Sequence, residues 1–90
     1  MAKAEISWKR VTDEGTQLQV YAQHVGRDWR FFTRERRYDQ WQAIPEPSLD
    51  DWLELLDAVR RRINRRLLRP EEETRVKNSI RERFPDAELE

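Results

Sequence analysis

Tyr21 and Phe32 are the residues whose type and spacing point most directly to chemistry. A tight hairpin between them makes them cross-strand neighbours, and Lys9, Gln19, Gln23, Arg30 and Arg34 then fall around them on one sheet face. Exposed rings among basic side chains on an open sheet are what single-stranded RNA or DNA stacks upon. Arg, Trp and Tyr are also the types that concentrate energy in protein–protein contacts. A third reading is structural: the segment 38–44, or the same face of a second copy, covers the rings.

The second candidate is a basic patch made by Arg61, Arg62, Arg65, Arg66 and Arg69. On a helix, Arg61 and Arg65 share an outer face one turn beyond Asp57, whereas Arg62, Arg66 and Arg69 share another, expected beside Glu71, Glu72 and Glu73. Such a cluster neutralises phosphates. Complementation of the helix dipole, pairing of Asp57 with Arg61 and pairing between helices account for most of it without a ligand, so a solvated face is the favoured reading. Arg60 differs, because it projects into the apolar stripe and must snorkel, pair with an acid or face a partner.

Little else resembles a catalytic or metal centre. His24 is the single histidine and falls on the core side near a strand end, where an imidazole is structural. Asp50, Glu54 and Asp57 align on one helix face, but nothing nearby completes a zinc or calcium set, and Glu71, Glu72 and Glu73 point in different directions. Cysteine is absent, which closes disulfide, thiolate and thiol-nucleophile chemistry. With Gly15 and Gly26 the only glycines, there is no phosphate-binding loop or nucleophile elbow. The expectation is a non-enzyme without cofactor or metal.

The elements that must position these residues are bounded by a length of 90 residues, one small α+β domain whose core is thin enough for dimerisation to supplement it. Charged residues make up 40% of the chain, yet the aromatic residues supply enough apolar area for folding. Lys+Arg and Asp+Glu both number 18, so no global field draws the chain to nucleic acid or lipid. The first residues lack an apolar targeting core, so a cytoplasmic protein with no membrane association is expected.

Alternation predicts a strand over 4–11, with Ile6 and Trp8 opposite in facing to Ser7 and Lys9, and a turn at Asp13-Glu14-Gly15. A second strand over 16–25 alternates Leu18, Val20 and Ala22 with Gln19, Tyr21 and Gln23. Gly26-Arg27 forms a two-residue loop into a third strand over 29–34, setting Ala22 opposite Phe31 and Tyr21 opposite Phe32. Residues 38–44 read as a fourth, edge strand or an arm whose Trp41 and Ile44 reach the core. Pro45 and Pro47 keep the following connection stiff.

The clearest element is a helix over 49–68, capped by Ser48 with Asp51 at the third position. Leu49, Trp52, Leu53, Leu56, Val59, Ile63 and Leu67 make its apolar stripe, widened by Leu55. Arg69-Pro70 ends it and starts a second helix over 70–84 with Val76, Ile80 and Phe84 inward; Asp86 to Glu90 is expected to fray. The predicted fold is a three- or four-stranded antiparallel sheet followed by two C-terminal helices packed on one face. The function expected is binding, to a protein partner or to itself, with nucleic acid as the alternative.

Overall fold

The computed structural model of the chain describes residues 5–26 and 28–89. In order they form β1 (Glu5–Val11), β2 (Gln17–Val25), β3 (Asp28–Arg34), β4 (Gln42–Ile44), α1 (Leu49–Asn64) and α2 (Pro70–Arg83). This is the predicted α+β order, and the four strands make one antiparallel sheet in sequence order. The first predicted strand residue, Ala4, as well as Arg27 and Glu90, lie outside the described residues. Two compact units divide at Pro47 and Ser48, one carrying the sheet and the other the helices.

In the sheet unit, turn chemistry sets the register. Between β1 and β2 the Thr12 amide donates to the Thr16 carbonyl, and the Thr12 hydroxyl oxygen accepts from the Thr16 amide. Gly15 takes φ 86°, which a side chain would strain. Gly26, at φ 62°, opens the β2–β3 hairpin and leaves Val25 opposite Asp28. Ala22 therefore faces Phe31 and Tyr21 faces Phe32, as the alternation requires.

One face of this sheet holds Ile6, Val20, Ala22, Trp29 and Phe31, all buried. Trp8 meets Phe31 edge-to-face at 6.0 Å, and His24 stacks on Trp29 at 4.8 Å. Alternation thus separates a closed face from an open one, because consecutive strand side chains point oppositely.

The fourth strand is shorter than the alternative drawn from the sequence. Pairing begins only at Gln42, because the preceding residues bond to one another: the Arg36 amide donates to the Asp39 carboxylate and the Asp39 amide to the Arg36 carbonyl. That local ring uses the polar groups a ladder would need. Tyr38 stands at its tip, 93% exposed.

In the helical unit, Ser48 accepts the Asp51 amide at 3.3 Å and starts α1. Asp51, Trp52, Leu55, Leu56, Ala58 and Val59 are buried, whereas Leu53 is exposed. The inward arc is consequently rotated toward the Leu55 flank of the expected stripe. The helix also ends earlier than expected. The Leu67 amide donates to the Arg62 carbonyl and the Arg66 amide to the Ile63 carbonyl, while Arg66 turns left-handed at φ 61°. This is a Schellman termination, and it throws Leu67 out to solvent.

The second helix starts on Pro70, after an extended Arg69 that contributes no side-chain cap. It buries Val76 and Ile80 one turn apart, and Glu72 continues that row. Phe84 is the half-buried C-cap. Arg60 of α1 meets Glu73 of α2 at 3.3 Å, and Arg83 near the end of α2 lies 4.9 Å from the Trp52 ring. These contacts join opposite ends, so the helices run antiparallel. No helix among the described residues is long and apolar enough to cross a membrane.

Candidate functional site

Register assembles the site in rows across the open sheet face. Ser7, Tyr21, Phe32 and Ala43 form the central row. Lys9, Gln19 and Arg34 form the next on one side, and Glu5, Gln23 and Arg30 hold the corresponding positions on the other. All seven expected surface residues thus share one face. Lys9 and Arg30 are exposed; Gln19, Tyr21, Gln23, Phe32 and Arg34 are half-buried.

The rings occupy one another. Tyr21 and Phe32 stack with centroids 4.8 Å apart and planes 15° from parallel. Cross-strand stacking of this kind stabilises a sheet by about 0.5–1.5 kcal/mol beyond the area it buries. Trp41 approaches Tyr21 edge-on at 4.6 Å and carries the Arg34 guanidinium 4.2 Å above its own ring. On the other side of the row, Arg34 Nε donates to Gln19 Oε1 at 2.6 Å.

Trp41 is the residue that sequence reasoning misplaced. It was expected in the core with Ile44, but it lies on the open face with Tyr21. The signal is parity: Thr33 pairs Gln42, so one further step along the ladder sets Trp41 opposite Arg34, while Ile44 opposes the buried Phe31. Two residues an odd number apart cannot share a strand face. The segment 38–44 therefore flanks the rings, with Trp41 against Tyr21 and Ala43 paired with Phe32.

The arginines of the expected patch run from the last turns of α1 to the N-cap of α2. Arg61 pairs with Asp57 at 3.5 Å, and Arg62 donates to the Ala58 carbonyl at 3.4 Å. Arg65 is the C-cap of α1, Arg66 the left-handed residue after it and Arg69 the N-cap of α2. The expected bridge from Arg62, Arg66 or Arg69 to the acidic start of α2 is made by Arg60 instead. It shares Glu73 with Lys77, which lies 3.0 Å away. The Lys77 hydrogen bond is the largest influence holding the Glu73 carboxyl below its ordinary value; Arg60 acts the same way, and partial burial opposes both. Glu72 is buried with one oxygen 2.6 Å from Arg75.

Other chemistry is weakly provided for. Among the described residues, no three His, Asp or Glu side chains converge as a metal set. A cleft of about 480 Å³ lies in the sheet unit, lined by Leu18 and by polar residues that include Thr33, Glu35, Asp39 and Gln42. Asp39 accepts from the Arg36 amide.

Neither a protein-family model, nor a curated protein, nor a solved structure matches this chain.

Proposed function

We propose that the chain is a non-catalytic module that works by protein–protein contact through the open face of its sheet. The observation that carries this reading is the cluster of Tyr21, Phe32, Trp41 and Arg34, half-buried and held in place by its own contacts. Rigid aromatic side chains and a held arginine lose little further freedom on association, so more of their contact energy survives as affinity.

Single-stranded nucleic acid is the second reading, favoured by Lys9, Arg30 and Arg34 beside the rings. It fits less well, because the mutual stack of Tyr21 and Phe32 and the Arg34 contact on Trp41 each occupy a ring face on which a base would stack.

The test compares wild type with Phe32→Ser and, as a control distant in sequence, Arg65→Ser. Sedimentation over a wide concentration range reads self-association, and affinity capture with mass spectrometry reads other proteins. The expected result is an association that Phe32→Ser abolishes and Arg65→Ser preserves, in proteins that melt cooperatively. Equal association of both variants would remove the sheet face as the contact. Titration with random single-stranded RNA at low and high salt completes the test; tight binding that weakens linearly in log salt would favour the second reading.

A further inference from the structure

Arg34 and Arg30 are the arginines of the open-face rows, and the Arg34 guanidinium is held by contacts of its own. Its central carbon lies over the Trp41 ring and its Nε is spent on Gln19, so the end of the side chain is restrained from two directions. A guanidinium has five N–H donors in a planar fork, and the bond to Gln19 uses only the one on Nε. The terminal amino groups, which make the bidentate pair with a carboxylate, have no protein partner among the described residues. Glu35 follows in the chain but is exposed, and Asp39 is held by the Arg36 amide.

Charge decides between occupants. Lys9 and Arg30 lie in the rows on either side of Tyr21 and Phe32, whereas Asp28, of the same parity, begins β3 at the strand end. A second copy docked symmetrically on this patch brings Lys9, Arg30 and Arg34 against the same three cations, a like-charge juxtaposition that disfavours association. A phosphodiester strand needs a run of cations along its path and open rings. One fixed fork beside apolar rings instead suits one carboxylate flanked by apolar groups.

We propose that Arg34 receives an Asp or Glu carboxylate from an acidic protein segment and so sets the specificity of the open face. This rests on the protein-contact reading above. The probe is an array of short peptides in which Glu or Asp is flanked by apolar residues, each paired with its Gln or Asn counterpart, followed by fluorescence anisotropy on the best binder. Acidic peptides should bind at least about tenfold more tightly than their amide counterparts. Arg34→Lys, which keeps the charge but loses the fork, should abolish most of that preference while the thermal melt stays cooperative.

Gln19→Leu supplies a second readout. It frees the guanidinium without removing it, so it should lower affinity less than Arg34→Lys does. Equal binding of acidic and amide peptides at the sheet face would overturn the carboxylate assignment and leave the protein-contact reading standing. Binding that ignores Phe32→Ser would overturn both. Concentration-dependent self-association without peptide binding, preference for random single-stranded RNA, or no binding across the array would each overturn the carboxylate assignment.

Discussion

Phe31 and Phe32 are adjacent, chemically identical and expected to respond oppositely to truncation. Phe31 is 2% exposed and packs with Trp8, so Phe31→Ala should cost about 3–5 kcal/mol in urea unfolding, the range for an emptied core site. Phe32 is half-buried and its ring contact is with Tyr21, so Phe32→Ala should cost only about 1–2 kcal/mol, the stacking term plus part of the area. Its main effect should be on association. A loss for Phe32→Ala as large as that for Phe31→Ala would mean that the open face is a second core. At this scale the separation was legible in the alternation alone, because strand side chains switch sides at every residue.

The helical elements carry predictions of their own. Arg66 occupies a left-handed position where a side chain costs about 1 kcal/mol relative to glycine. Arg66→Gly should therefore raise stability by about 0.5–1 kcal/mol despite the greater freedom glycine has in the unfolded chain, and Arg66→Ala should not. Chemical denaturation of both variants checks it.

Glu73 gives a pH dependence. Its carboxyl is held below the ordinary value by Lys77 and then Arg60, so the folded state binds that proton less readily than the unfolded chain does. Its contribution is complete above about pH 4.5 and disappears as the pH falls through the folded value. Glu73→Gln should flatten the acid limb of the stability curve, by less than about 1 kcal/mol because Arg60 and Glu73 are both about one-third exposed to water. The cap at Ser48 and the start at Pro70 were legible in sequence, since both are local chemistry. The end of α1 was not: nothing in the run Arg65-Arg66-Leu67 announces a left-handed residue, and apolar periodicity carried the prediction on to Leu68.

For the whole molecule, sequence-neighbour pairing has a kinetic consequence. Every strand bonds to the next one in the chain and the helices follow, so the sheet closes short loops only. Low separation between paired residues favours fast folding, and stopped-flow refolding should show a main phase on the order of milliseconds. The four prolines add a slow phase of substantial amplitude, because each X–Pro bond is about 10–30% cis in the unfolded chain.

The division between what the chain alone determined and what the tertiary structure decided follows the range of the interactions. Strand parity, the two glycine turns, the helix starts and the hairpin that pairs Tyr21 with Phe32 are written in neighbouring residues, because φ preference, capping and alternation act within a few positions. The place of Trp41, the length of β4, the rotation of the buried arc on α1 and the choice of Arg60 rather than Arg62 as partner to Glu73 depend on residues far apart in sequence. Those required the register and helix pairing to exist first, and only then did the Arg34 fork appear, since its two restraints come from β2 and from the residue that enters β4.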